Sequence, residues 1–354
     1  MAASSLLDAA RNGRDPDQIL RCHGEILRRF EDVAESCWTQ GRLEDAIGAA
    51  GMAAWIAGLN HPGVLASPRL ETVLADISRR ALPPLPSRTA AAKPERVLVV
   101  VTATYAVGGH TRTLWRWIAR DCSRVHTVVT TSQDGVMPEG VRAAVRRSGG
   151  EIVDLPARAP ALGRAAALRG LAADADVIVL IDHPHDPLPT VAFAGLAERP
   201  PIVMMDHGDH LFWLGRGIVD VLMSIRSIGP LFAARRGLPG ARVLTTSFPV
   251  SGPDHHGRGS REQVDAQERS QARGTVLGQL GWPAETVLLV TAGAKHKYDG
   301  AEGHRLLDLI EPVLAAAPRA RLVAAGPENT GQWRDLRERS AGRVAALGSQ
   351  SQGI

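Results

Sequence analysis

The sequence predicts an α/β protein on a doubly wound parallel sheet, with a helical segment before it and a shorter α/β stretch after it. Three observations predict this. From Arg96 onward, short runs of aliphatic and β-branched residues alternate with amphipathic stretches of helical length. Some of these runs, such as Val177-Ile178-Val179-Leu180-Ile181, are apolar at every position, as a parallel strand covered on both faces requires. The first run, Val97 to Val101, leads through a short turn into Gly108-Gly109 and then a helical pattern. That arrangement brings backbone N–H groups against a phosphate, and two glycines let a ligand approach with no Cβ in the way.

In chain order, residues 1–93 read as a helical segment closed by a proline-rich linker. Ile19, Leu20, Ile26, Leu27, Phe30, Val33, Ala34 and Trp38 recur at three- and four-residue steps. Gly41 breaks that pattern, an alanine-rich helix follows to Leu59, and a third helix is expected from Pro68 to Leu82. Leu82-Pro83-Pro84-Leu85-Pro86 opens a stiff linker. Residues 94–251 form the first Rossmann-like domain, with strands expected at 96–102, 125–131, 151–154, 176–181, 201–205, 219–224 and 242–245 and helices between them. Residues 252–274 are polar and read as an interdomain loop. Residues 275–354 form a second Rossmann-like domain. Strands are expected at 287–290, 321–325 and 343–347, where about five or six complete such a domain, so this one reads as incomplete and the chain as truncated.

The composition narrows the function. Of the 354 residues, 44% are hydrophobic and 22% charged, ordinary for a soluble globular protein of two or three domains. The net charge of +4 is spread along the chain, and 4% of residues are aromatic. This suits an anionic ligand and leaves peripheral membrane contact open, but it does not support nucleic acid as a partner. Cys22, Cys37 and Cys122 have neither metal spacing nor a disulfide framework. With no basic n-region at the start and no apolar run of about 20 residues, a cytoplasmic protein without a signal peptide or transmembrane segment is expected.

Four clusters fall at expected strand ends, where open α/β sheets hold their ligands. They are Gly108-Gly109-His110-Thr111-Arg112, Asp182-His183-Pro184-His185-Asp186, Asp206-His207-Gly208-Asp209-His210 and Thr291-Ala292-Gly293-Ala294-Lys295-His296-Lys297-Tyr298. Each also has a plain structural reading. The glycines can serve packing, the lysines can be solvated, and His183 and His185 can close a strand end. Asp206 is more an orienting or capping carboxylate than a catalytic one. His207 follows a buried run and precedes Trp213, which is expected to be exposed.

Taken together, from Arg96 to Leu347, these features resemble the retaining, group 1-like glycosyltransferases of the GT-B fold. The resemblance rests on Val-Leu-Val-Val-Val…Gly-Gly-His-Thr-Arg, on residues 206–215, on the tail Gly326-Pro327…Gly348, and on the order of the clusters. It implies a nucleotide-sugar donor held mainly by the second domain, an acceptor of unidentified kind held by the first, and no cofactor or metal. Gly108 and Gly109 would lie beside the donor diphosphate, with His110, Arg112, Asp206 and His183 in support. Lys297, and less closely Lys295, would neutralise the leaving diphosphate. His207 or His210 would meet the transferred sugar as hydroxyl partner or general base. Breaking the sugar–phosphate bond builds negative charge, which an ammonium and helix N-termini stabilise without a metal.

Two alternatives stay open. The histidine and aspartate clusters could hold zinc in a hydrolase. The chain could instead be an impaired relative that binds a sugar or a partner. Retaining GT-B enzymes carry two glutamates eight positions apart in the second domain. From Gly281 onward the glutamates here are Glu285, Glu302, Glu311, Glu328 and Glu338, and no two are eight apart.

Overall fold

The computed structural model describes residues 13, 15–86, 93–106, 108–238, 242–246, 261–293, 298 and 306–348, with the backbone alone at 261–265. The chain divides into two compact units, one spanning Asp17–Pro249 and the other built on Val250–Ile354.

Among the described residues, the first unit starts with three helices, α1 (Pro16–Thr39), α2 (Leu43–Leu59) and α3 (Pro68–Ala81). Gly41 ends α1 at φ 74°, the left-handed conformation that closes a helix with no Cβ penalty. Ser67 caps α3, its hydroxyl accepting the Leu70 N–H at 3.2 Å, while Pro68 opens the first turn with its φ already set. Seven parallel strands follow: β1 (Arg96–Val101), β2 (Val125–Thr130), β3 (Ile152–Asp154), β4 (Val177–Leu180), β5 (Ile202–Asp206), β6 (Val221–Ser224) and β7 (Val243–Thr245). They are ordered β3-β2-β1-β4-β5-β6-β7. Between them run α4 (Gly109–Arg120), α5 (Glu139–Ser148), α6 (Ala161–Ala172), α7 (Leu188–Phe193) and α8 (Gly229–Arg235).

The continuous apolar strands serve two cores. Leu98 and Val100 point into one face with Leu168, Phe193, Leu70, Leu74 and Ile77. Val97, Val99 and Val101 point into the other with Leu114, Ile118 and Val141. The helices of residues 16–81 therefore share a core with the sheet and do not stand as a separate segment. Their apolar faces find the same sheet surface that α6 and α7 cover.

The second unit has a three-stranded parallel sheet, ordered β10-β9-β8, from β8 (Val287–Ala292), β9 (Ala320–Ala325) and β10 (Val344–Ala346). Its helices are α9 (Arg261–Leu280), α10 (Leu306–Ala316) and α11 (Gln332–Arg339). The expected loop over 252–274 is thus corrected from Arg261 onward. That stretch lacks apolar periodicity, but its Glu, Gln, Arg and Ala are good helix formers, and Val276 and Leu277 bury its last turns. After β9 the chain turns at Gly326, φ +114°, where a Cβ would stand 1.7 Å from the Gly293 carbonyl oxygen.

Candidate functional site

In a doubly wound sheet the ligand crevice opens at the carboxyl ends of the strands, where the strand order reverses. Here that point lies between β1 and β4, which are paired from Val97↔Val177 to Val100↔Leu180. Their following residues, 102–105 and 182–186, together with the start of α4 and the loop after β5, form the candidate site.

The glycine pair opens α4, with Gly108 as its N-cap at φ 168° and ψ 141°. That is extended backbone open to any residue. Among the described residues, a Cβ on Gly109 would meet nothing within 4 Å, and one on Gly108 would make only ordinary contact, 3.7 Å from the His110 ring. Neither packing nor backbone conformation therefore calls for glycine here. The open space lies directly over the first turn of a 12-residue helix, whose leading N–H groups have no carbonyl partner within the helix. Arg112 is exposed on that same turn.

The structure brings His110, His183 and His207 together. The His110 ring centroid lies 5.6 Å from that of His207 and 6.1 Å from that of His183. Tyr105, which the sequence reading passes over, stacks on His183 at 6.1 Å with 4° between planes. His185 continues the row at 5.5 Å from His183. Backbone carbonyls fix two of these rings: His207 Nε2 donates to the Asp182 oxygen at 2.9 Å and His110 Nε2 to that of Ala103 at 3.2 Å. With Nε2 protonated in the neutral ring, Nδ1 is the acceptor on each. Burial holds His110 and His207 below the ordinary imidazole value, and it pushes His183 down to about 4, helped by its imidazole neighbours. At neutral pH this is a cluster of uncharged rings, suited to stacking against a sugar or base and to hydrogen bonds with hydroxyls.

Beneath the rings, Asp186 organises the loop after β4. It accepts from Thr102 Oγ1 at 2.7 Å, from Thr131 Oγ1 and from the Leu188 N–H at 3.0 Å, while Thr102 Oγ1 accepts the His183 N–H at 2.8 Å. Asp182 is buried, and burial with the nearby Asp186 charge raises its carboxyl well above the usual range. Asp206 orients its loop: it accepts the Gly208 N–H at 3.2 Å and lies 3.9 Å from the guanidinium of Arg236. Arg236 is fully buried and donates to the carbonyls of Asp209 and Leu211 at 2.6 and 2.5 Å. No pattern in the sequence marks it. Trp213 is 2% exposed, which corrects the expectation of an exposed ring; the Arg236 guanidinium covers it at 4.6 Å.

His210 stands apart from the ring cluster. It is exposed, with Nδ1 3.4 Å from Asp209, and Asp209 is engaged by Arg226. Lys295 and Lys297 lie outside the described residues. Among the described residues, no three His, Cys, Asp or Glu side chains are placed to hold a metal ion. None of their helices is long and apolar enough to cross a membrane. A larger cavity, lined by Leu85, Pro94, Asp176, Leu196, Arg199 and Asp220, lies at the amino-terminal edge of the sheet, opposite these residues.

No protein-family model matches the sequence, and no curated protein sequence matches it. Solved structures do match in architecture. A glycosyltransferase from Rickettsia africae superposes with a TM-score of 0.51 at 8% identity, over 73% of this chain and 69% of that one. HepE from Anabaena, in complex with UDP-glucose, gives 0.49 at 13% identity, over 72% and 69%. An O-GlcNAc transferase from Thermobaculum terrenum gives 0.44 at 16% identity, over 92% and 61%. At such identities the likeness concerns the fold alone. With its parallel, Rossmann-ordered first sheet and a second α/β unit after it in the chain, this protein has the GT-B fold.

Proposed function

We propose that this protein moves a sugar from a nucleotide-diphosphate sugar to an acceptor. The observation that carries the reading is the pair Gly108-Gly109. Its missing side chains serve neither packing nor backbone conformation, and it opens a helix at the sheet's switch point beside three neutral histidines. Gly108 and Gly109 let the diphosphate approach the first turn of α4, with Arg112 adding charge. His207 meets the sugar through Nδ1, His110 and His183 line the crevice, and Asp206 holds the loop that carries His207. His210 has the weaker geometry for contact. Lys297, and less closely Lys295, two of the three lysines in the chain, are the residues proposed on the resemblance to neutralise the leaving diphosphate. No cofactor is needed, because the chemistry is charge stabilisation.

Titration calorimetry with UDP-, GDP- and ADP-linked sugars tests the reading. One of them binds, and Gly109→Val weakens it at least about tenfold by filling the phosphate approach. If none binds, the reading is lost. A second reading is binding without turnover. It predicts affinity for a nucleotide sugar with no nucleotide release when acceptors are supplied.

A further inference from the structure

The loop after β5 closes on a carboxylate from the helices ahead of the sheet. Glu71, in the first turn of α3, accepts the N–H groups of Gly215, Arg216 and Gly217 at 2.6, 3.3 and 3.2 Å. Three successive N–H groups converging on one anion form a nest. Gly215 stands at φ +95°, which L side chains rarely adopt, and a Cβ on Gly217 would lie 3.3 Å from Glu71 Oε2. Both glycines are thus accounted for by the turn and by the close approach of this carboxylate. An apolar residue in place of Glu71 would leave three donors without their acceptor.

From this nest a run of hydrogen bonds leads to the histidine loop. The Arg216 guanidinium donates to the Arg236 carbonyl at 2.7 Å. The Arg236 guanidinium in turn donates to the carbonyls of Asp209 and Leu211 and lies 3.9 Å from the Asp206 carboxylate. Asp206 accepts the Gly208 N–H, so the run holds the backbone on both sides of His207. Two more bonds close the loop. The Trp213 N–H donates to the Leu65 carbonyl, just ahead of α3, at 3.2 Å, and the Leu214 N–H donates to the Pro184 carbonyl, in the loop after β4, at 2.9 Å. The His207 ring reaches that same loop through the Asp182 carbonyl. Its direction therefore depends on how residues 206–217 are set against residues 182–184, and Glu71 fixes the far end of the first segment.

Resting on the proposed transfer of a sugar, we infer that Glu71 is a positioning residue, which through the 215–217 nest, Arg216 and Arg236 aims the His207 ring at the transferred sugar. A carboxylate suits this task, because its charge strengthens each of the three hydrogen bonds that fix it. Glu44 offers the contrast. It too is a helix carboxylate that accepts backbone N–H groups, those of Ala161 and Leu162, at 2.7 and 2.9 Å. Those groups open α6, between β3 and β4, and lie outside the loop that carries His207.

The test compares the full chain with Glu71→Ala and, as the control for lost stability, Glu44→Ala. UDP-, GDP- and ADP-glucose and the matching nucleotide diphosphates are titrated by calorimetry. The His207 ring is followed by its NMR signal, identified by its loss in His207→Gln. In Glu71→Ala the ring signal shifts and nucleotide-sugar affinity falls at least about tenfold, while affinity for the diphosphate alone changes less than about twofold. Acetate, at constant ionic strength, restores both, since Glu71 is half-buried and its nest admits a small carboxylate. Glu71→Gln keeps one acceptor oxygen and the fold, and gives the same changes in smaller measure. An unmoved His207 signal in Glu71→Ala overturns the inference. So does a loss of affinity shared equally by the diphosphate alone, or matched by Glu44→Ala. A parent chain that binds none of the nucleotide sugars, with the His207 signal still moved by Glu71→Ala and returned by acetate, instead removes the transferase reading and leaves Glu71 positioning the histidine.

Discussion

At the residue scale, two glycines with opposite roles separate function from packing. Gly150 has a structural duty, since a Cβ there would stand 2.0 Å from the His126 carbonyl oxygen. Gly150→Ala is expected to cost more than about 2 kcal/mol in urea unfolding, because backbone must move. Gly109→Ala meets open space and should leave the midpoint unchanged or slightly raised. A large loss at Gly109 would return that residue to packing. The histidines carry a pH prediction. His183 ordinarily titrates near 6.5 and in the fold at about 4. Between those values the unfolded chain binds a proton that the folded chain refuses, so stability rises with pH from about 4 to about 6.5 and then levels. His183→Gln should flatten that slope in denaturant titrations across the window; an unchanged slope would show that the ring protonates freely in the fold. The sequence makes His110, His183 and His207 visible as strand-end residues. It does not show that their rings meet, nor that Tyr105 joins them, because the three segments are brought together only by strand pairing.

At the element scale, the helices ahead of the sheet are the instructive case. Their boundaries are legible from apolar spacing, Gly41 and the Ser67-Pro68 cap. Their attachment is not, since periodicity marks an apolar face without saying what covers it. Leu74 is fully buried in the same core as Ile178 and Leu180. Leu74→Ala should therefore cost about 2–5 kcal/mol and destabilise the sheet together with the helices, in a single transition followed by circular dichroism and by urea titration. A separate early transition for the helices would contradict the shared core. Arg169 reinforces the attachment, donating from α6 to the carbonyls of Ala192 and Pro83 at 2.7 and 2.6 Å and to Ser78 Oγ at 2.6 Å. Helix α9 is the opposite case. Propensity, rather than an apolar stripe, builds most of it, so a reading that relies on periodicity takes it for a loop.

At the scale of the whole molecule, the proposed chemistry predicts that chelation changes nothing. Nucleotide-sugar affinity in EDTA should match that in buffer, and a loss restored by a divalent cation would replace charge stabilisation by helix and lysine with metal chemistry. A net charge of +4 and an anionic donor also predict weaker binding as salt rises, measured by the same calorimetry between low and physiological ionic strength.

Sequence alone determined the α/β class, nearly every strand, the glycine turn and the strand-end clusters, because strand period, chain reversal and glycine chemistry are local properties. Tertiary structure decided the order β3-β2-β1-β4-β5-β6-β7, and with it the switch point at which Gly108-Gly109, His183 and His207 become neighbours. It also decided that Trp213 is covered by Arg236 and that His210 stands outside the cluster. Each of these depends on which distant segment packs against which, and neither spacing nor composition along the chain encodes that.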